Sequence, residues 1–293
     1  MIPVDGRLNG KVCLVTGATS GIGEVTARAL TQMGATVIVV GRDLQRGAAT
    51  LSRIKAAAPT AQVEFMLADL SSQAQIRQLA QEFKRKYSRL DVLVNNAGGV
   101  SIARKQSVDG IEMTFALDHL NYFLLTHLLL DTIKASAPAR IVNVASEAHR
   151  RVPGINFNDL QSERGYNSVR AYGQAKLANV LFTYELARRL DGTNISVNVL
   201  HPGVVATDMW FADTRLRRNN GILRTLVVQL IRLAAISPEQ GAQTMIYLAT
   251  SPEVEGVTGK YFAKEKEAQS SPASHDHAAA TRLWQVSETL TKL

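Results

Sequence analysis

Short apolar runs rich in β-branched residues alternate with longer segments of helical periodicity along most of the chain. Runs that are apolar at consecutive positions are typical of parallel strands covered by helices on both faces. Strands that alternate with helices predict βαβ units and an α/β fold with a doubly wound parallel sheet. The predicted strands are Val12 to Val15, Val37 to Val40, Val63 to Leu67, Val92 to Val94, Ile141 to Val144, Val197 to Leu200 and Lys260 to Ala263. The predicted helices lie near residues 22–33, 44–57, 72–87, 112–134 and 171–190.

The chain has 293 residues, 46% of them hydrophobic, which is enough to bury a substantial core. We expect one nucleotide-binding domain over residues 1–263. Residues 264–277 are polar and are predicted to form an exposed linker. Residues 278–293 have the periodicity of one more helix, which we expect to pack on the same domain.

A glycine-rich segment, TGATSGIG from Thr16 to Gly23, joins the first predicted strand to the first predicted helix. Glycines allow a tight turn and close approach of the backbone to a pyrophosphate, and the helix N-terminus adds free N–H groups and a partial positive charge. A P-loop is disfavoured because no Gly-Lys-Ser/Thr follows. The alternative is an ordinary glycine turn, which the flanking strand and helix disfavour. The residues predicted to bind a cofactor here are Gly17, Thr19, Ser20, Gly21, Ile22 and Gly23.

The end of the second predicted strand bears on the choice of cofactor. Sheets that bind NAD carry an acidic residue near this point, which holds the ribose 2′-hydroxyl. Here Gly41 and Arg42 stand at the tip, and Arg42 can pair with a 2′-phosphate. Asp43 is either the acidic ribose ligand or the N-cap of the following helix. The sequence favours NADP(H) over NAD(H).

Tyr172 and Lys176 lie four residues apart in a helical pattern and therefore share one face of the helix. A nearby ammonium favours the phenolate and lowers the pKa of a tyrosine, which would make Tyr172 a general acid and base near neutral pH. The motif by itself is weak, since a tyrosine and a lysine on a helix surface would give the same spacing.

The motif occurs together with the glycine-rich segment, with Asn95-Asn96-Ala97-Gly98 after one strand and with Ser146 after another. In this order, over about residues 10–263, these motifs resemble the short-chain dehydrogenase/reductase family. The segments from Val144 to His149 and from Thr281 to Ser287 resemble its retinol dehydrogenase-like branch most. The resemblance implies a Rossmann-like sheet of about seven strands and an NADP-dependent oxidoreductase that acts on a carbonyl or alcohol group.

The resemblance also implies a role for each matched residue. Tyr172 would exchange the hydroxyl proton, Lys176 would bind the nicotinamide ribose, and Ser146 would hydrogen-bond the substrate oxygen. Asp69, followed by Leu70, would hold the adenine amino group. Residues along the adenosine side of the cofactor would be Asn95, Ala97 and Gly98, and those that frame the nicotinamide carboxamide would be Pro202, Gly203 and Thr207.

The chain departs from the family pattern at Asp118, where an asparagine in the family holds a water next to the lysine. An ionised carboxylate accepts hydrogen bonds but cannot donate them. We therefore predict a working enzyme with an altered pH profile and count Asp118 among the catalytic candidates. Asn121, one turn later, is a less favoured substitute.

Residues 221–236 are apolar apart from a narrow polar stripe. This segment is either part of a substrate lid over about residues 206–236, an interfacial helix lying on a membrane, or an ordinary packed helix. The lid interpretation predicts a small lipophilic substrate such as a retinal-like aldehyde or a ketone.

The net charge of +8 raises the alternative of a nucleic-acid-binding protein, but basic residues are spread along the chain and no recognition motif occurs. The single cysteine, Cys13, excludes an internal disulfide, and no run of about 18 apolar residues predicts a membrane span. We expect a cytoplasmic protein without a metal site, as a monomer or a homo-oligomer. A rival to the enzyme is a non-catalytic NADP(H)-binding regulator on the same fold.

Overall fold

The computed structural model describes residues 6–203 and 236–293. Its centre is one sheet with the strand order β3-β2-β1-β4-β5-β6-β7-β8, in which all neighbours are parallel except the antiparallel pair β7 and β8. The strands are β1 (Val12–Thr16), β2 (Thr36–Gly41), β3 (Val63–Leu67), β4 (Val92–Asn95), β5 (Ala139–Val144), β6 (Ile195–Leu200), β7 (Tyr261–Ala263) and β8 (Lys266–Glu267). The predicted Rossmann-like fold is confirmed, with eight strands instead of about seven because β8 adds a two-residue edge.

Helices cover both faces of the sheet, which explains why β1, β4 and β6 are buried at every position. The helices are α1 (Gly21–Gln32), α2 (Leu44–Ala57), α3 (Gln73–Lys86), α4 (Met113–Phe115), α5 (Asn121–Ala135), α6 (Ser168–Arg189), α7 (Pro238–Thr250) and α8 (His277–Thr291). The two largest apolar clusters among the described residues lie on the two faces of the sheet. One joins it to α1 and α7, and the other joins it to α3, α5 and α6. Between α4 and α5 the backbone forms a π-helical turn over Ala116–Leu120.

Most of residues 264–277 are exposed, but the segment is not the simple linker that we expected. It contains β8 and a 3₁₀ turn over Pro272–His275. Ser271 and Ser274 are buried, and the backbone N–H of Ser271 donates to His149 Nε2 at 3.0 Å. Polar composition alone therefore did not identify the buried residues of this segment, where the Ser274 hydroxyl donates to the Ser271 carbonyl inside the fold.

The C-terminal helix α8 packs across α5 and α6. Trp284 contacts Phe123 at 5.1 Å and Phe182 at 5.9 Å between ring centroids, and the Arg189 guanidinium lies 3.9 Å above its ring. Within the described ranges, no helix is both long and apolar enough to cross a membrane. Thr207 and all of the predicted lid except Ile236 fall in residues 204–235, outside the described ranges.

Candidate active site

The predicted site residues converge at the carboxyl edge of the sheet. Strand order reverses between β1 and β4, because the chain runs outward from β1 through β2 and β3 and then returns to the other side. In open parallel sheets the crevice for a ligand forms at this reversal, outside the carboxyl ends of the strands.

The glycine-rich segment forms a tight turn between β1 and α1. Gly17 and Gly21 adopt φ values of +63° and +58°, a left-handed conformation that favours glycine. A Cβ atom at Gly17 would lie 2.8 Å from the Ala97 Cα, so this turn packs directly on the chain that follows β4. Helix α1 begins at Gly21, and its N-cap Ser20 makes no side-chain capping bond, which leaves the first N–H groups of α1 to a ligand. This glycine-rich turn at a helix N-terminus fits a dinucleotide pyrophosphate.

Other predicted members of the turn lie in the same place. Thr19 and Ile22 are half-buried, Ser20 is exposed and Gly23 is buried. A Cβ at Gly23 would lie 2.6 Å from the amide nitrogen of Asn96, so glycine is required there by close packing rather than by φ.

The two adjacent asparagines after β4 have different roles. Asn95 is fully buried, and its amide donates to Thr126 Oγ1 at 3.0 Å and to Asn143 Oδ1 at 2.9 Å. Its side chain therefore belongs to the core, whereas we had expected it in the cofactor crevice. Asn96, which we had not selected, donates to the Thr16 carbonyl at 2.8 Å and ties β4 to the glycine turn. The sequence contained both amides but gave no way to tell which one faces inward.

The end of β2 separates Arg42 from Asp43. The Asp43 carboxylate accepts from the Arg46 backbone N–H at 3.0 Å and caps α2, which confirms the N-cap interpretation. Arg42 is exposed beside it. On the neighbouring strand end, Asp69 Oδ1 accepts from the Ser71 N–H at 2.9 Å, whereas the Leu70 side chain is buried in the core.

Tyr172 and Lys176 lie one turn apart on α6, which begins after the N-cap Asn167. The Lys176 ammonium is 5.6 Å from the Tyr172 ring centroid and donates to the Val144 carbonyl at the end of β5 at 3.3 Å. Ser146 follows that strand, and its hydroxyl is hydrogen-bonded with that of Tyr172. The structure therefore brings the three predicted residues together from two elements.

Gly173 is a residue that the sequence analysis overlooked. A Cβ there would lie 2.9 Å from the Ala148 carbonyl oxygen, so glycine lets α6 approach the turn that carries Ser146. Its position immediately after Tyr172 could have drawn attention to it, but only the packing shows that a side chain there would contact the Ser146 turn.

Asp118 lies in the π-helical turn and has no solvent exposure. Its Oδ2 is 3.2 Å from the Lys176 ammonium, and its Oδ1 accepts from the Gly99 N–H at 2.7 Å. A Cβ at Gly98 would lie 3.1 Å from both members of this ion pair. Asn121 does not take the place of Asp118, because its amide donates to the Leu117 carbonyl.

The electrostatics of the site differ from the expectation for Tyr172. Burial raises the pKa of Tyr172, the Asp118 carboxylate raises it further, and the hydrogen bond from Ser146 only partly opposes them. The predicted lowering of the Tyr172 pKa is therefore wrong, because burial and the Asp118 charge both raise it. Burial also raises the pKa of Asp118 to about 6, against the lowering effects of Lys176 and the Gly99 N–H.

Pro202 and Gly203 follow β6, which lies on the other side of β5 from the glycine turn. Pro202 is half-buried and Gly203 is exposed. Among the described residues, no group of three or more potential ligands could hold a metal ion. A cavity of about 500 Å³ lies at the opposite, amino edge of the sheet, lined by residues such as Lys11, Asp91 and Arg140, and it is not part of this site.

Comparisons with known proteins agree with this architecture. A family model described as short chain dehydrogenase matches residues 11–215. Human retinol dehydrogenase 14 is 42% identical over 98% of this chain and 88% of its own length, and human polyprenol dehydrogenase is 41% identical over 96% and 85%.

Among solved structures, an uncharacterised protein from Mycobacterium paratuberculosis is 32% identical with a TM-score of 0.77, covering 97% of this chain and 94% of that one. The Pseudomonas aeruginosa RhlG complex with NADP is 31% identical with a TM-score of 0.68, covering 89% and 96%. The chain therefore belongs to the short-chain dehydrogenase/reductase family of oxidoreductases, with the retinol dehydrogenases among its relatives.

Proposed function

We propose that this protein is an NADP(H)-dependent oxidoreductase that transfers a hydride between the nicotinamide ring and the carbonyl or alcohol carbon of a small lipophilic molecule. The observation that carries the proposal is the convergence of three side chains: Tyr172 is hydrogen-bonded with Ser146, and its ring centroid lies 5.6 Å from the Lys176 ammonium. The glycine turn at the same edge of the sheet suits a pyrophosphate.

When bound, NADPH would supply the hydride in the direction of reduction. Tyr172 donates its hydroxyl proton to the substrate oxygen, and the Ser146 hydroxyl donates a hydrogen bond to the same atom. Donors aimed at an oxygen that becomes alkoxide-like stabilise the transition state. Lys176 would hold the nicotinamide ribose, and in oxidation the Tyr172 phenolate would remove the alcohol proton.

The cofactor would lie along the carboxyl edge of the sheet. The glycine turn from Gly17 to Gly23 would hold the pyrophosphate, Asp69 would bind the adenine amino group, and Ala97 and Gly98 would line the adenosine side. Pro202, Gly203 and Thr207 would frame the nicotinamide carboxamide.

The preference for NADP(H) over NAD(H) rests on Arg42 and Asp43. Because Asp43 caps α2, its carboxylate is engaged with the backbone, while the exposed Arg42 guanidinium beside it suits a 2′-phosphate. RhlG, a structural relative, was solved with NADP.

The lipophilic substrate is supported by the names of two relatives, which refer to retinol and polyprenol. The apolar segment 221–236 is consistent with a substrate of that kind. A cytoplasmic location stays a prediction.

The test is a titration of the purified protein with NADPH and NADH, followed by turnover with retinal, decanal and a panel of ketones. Tyr172→Phe should abolish turnover and leave cofactor binding intact. Tyr184→Phe, on the same helix and hydrogen-bonded to Ser270, is the matched control and should remain active.

The second candidate is a regulator that binds NADP(H) without turnover, and the Asp118–Lys176 ion pair is the observation in its favour. Tight NADPH binding without oxidation by any substrate of the panel would support the regulator and contradict the enzyme.

A further inference from the structure

The ion pair between Asp118 and Lys176 is closed to solvent. The two side chains are 0% and 3% exposed, and their charged atoms are 3.2 Å apart. The Gly99 N–H fixes one carboxylate oxygen, and the Val144 carbonyl fixes the ammonium. An ammonium held against a carboxylate in this way acts on its surroundings as a dipole and no longer as a full positive charge.

Both members of the pair act on Tyr172: its ring centroid is 5.6 Å from the Lys176 ammonium, and the Asp118 charge raises its pKa. The other titratable groups around the pair are Tyr122 on α5, whose ring centroid is 5.6 Å from the ammonium, and Glu112 at the start of α4, whose charge acts on Asp118. His119, the next residue along the chain, is kept neutral by burial, which lowers its pKa to about 4. None of these three groups supplies a positive charge to replace the one that Asp118 cancels.

We propose that Asp118 is a positioning residue with an electrostatic role: as a fixed counter-ion of Lys176 it keeps Tyr172 protonated to a more alkaline pH than an uncharged residue at 118 would allow. The inference rests on the proposed function for its kinetic consequence. Its electrostatic part concerns only the protonation of Tyr172.

The kinetic consequence appears in both reaction directions. Reduction needs the Tyr172 phenol and declines above its pKa, whereas oxidation needs the phenolate and levels off above the same pKa. The ratio of the two rates at a given pH is set by the equilibrium constant of the reaction. Asp118 therefore cannot favour one direction, but it sets the pH at which both profiles bend.

The decisive variant is Asp118→Asn, which keeps the shape of the side chain and its acceptor for the Gly99 N–H but removes the charge. The profiles of kcat/KM against pH are measured for decanal with NADPH and for decanol with NADP⁺. A full charge within about 4–6 Å moves a pKa by about one to three units. In Asp118→Asn we expect the alkaline bend of each kcat/KM profile to occur at a lower pH than in the wild type. The shift should be the same for both profiles and at least about one pH unit, which is tenfold in proton concentration.

Asp131→Asn is the matched control, because Asp131 is an exposed carboxylate on α5, the helix that follows the π-turn. It removes one negative charge and should leave both bends where they are. Equal bends in the wild type and Asp118→Asn, or an equal shift in Asp131→Asn, would overturn the proposal.

A second measurement needs no turnover and separates the inference from the proposed function. The ultraviolet difference absorbance of tyrosinate is titrated in the wild type and in Tyr172→Phe, and their difference isolates Tyr172 among the 7 tyrosines. The same pair of titrations is made in the Asp118→Asn background. If the Tyr172 midpoint is lower in the Asp118→Asn background but the wild type turns over no substrate, Asp118 is still the counter-ion of Lys176. The proposal that the protein is an enzyme would then be wrong.

An unchanged midpoint would overturn the inference even if the enzyme is active. If Asp118→Asn does not fold, Asp118→Ser removes the same charge with a smaller side chain and is titrated instead.

Discussion

His119 should make the folded protein sensitive to mild acid, and its replacement should remove part of that sensitivity. The imidazole is fully buried between Asn179 Oδ1 at 3.3 Å and Ser287 Oγ at 3.0 Å, so it joins the π-turn to α6 and α8. Nδ1–H donates to the Asn179 oxygen and Nε2 accepts from the Ser287 hydroxyl, which is the arrangement of a neutral ring. Burial lowers the pKa of His119 from 6.5 to about 4.

The sign and size follow from proton linkage. Below pH 6.5 the unfolded chain takes up a proton at His119, whereas the folded protein does not do so until about pH 4. The free energy of unfolding therefore falls as the pH falls through this window, by about 3 kcal/mol in total for this one group.

The assay is urea unfolding followed by circular dichroism at several pH values within the window. His119→Gln should lower the stability at neutral pH but should show a decrease with falling pH that is smaller by about 3 kcal/mol. His277→Gln, which removes an exposed histidine at the start of α8, should keep the wild-type pH dependence. If His119→Gln and the wild type lose stability in parallel, the neutral buried ring is the wrong description.

Four further outcomes test other parts of the structure. The raised pKa of the Asp118 carboxyl adds to the free energy of unfolding as the pH falls from about 6 to 3.8, because the folded protein takes up this proton first. Asp118→Asn removes that contribution, so its free energy of unfolding in urea should decrease by about 3 kcal/mol more than that of the wild type over this window. Arg42→Leu should weaken NADPH binding by about tenfold to a hundredfold in a fluorescence titration and leave NADH binding unchanged, since only NADPH has the 2′-phosphate. Gly17→Ala should weaken the binding of both NADPH and NADH by at least about tenfold, because the φ of Gly17 is +63° and the new Cβ would lie 2.8 Å from the Ala97 Cα. Trp284→Ala should reduce the free energy of unfolding by about 3–5 kcal/mol in urea titrations and release α8 to proteolysis.

The sequence by itself determined the elements of this protein and the order in which they follow one another. Unbroken apolar runs are readable as buried parallel strands, and four-residue spacing puts Tyr172 and Lys176 on one helix face. The glycine turn between a strand and a helix is equally local. These features could be predicted because each depends on neighbours within a few residues along the chain.

Only the tertiary structure decided the electrostatics of the site and several side-chain roles. The pairing of Asp118 with Lys176 joins residues far apart in the chain, and together with burial it reversed the predicted direction of the Tyr172 pKa shift. The inward turn of Asn95 and the burial of Ser271 likewise depend on distant partners. The physical reason is that desolvation and charge pairing depend on what surrounds a group in space, which the spacing of residues in a sequence does not contain.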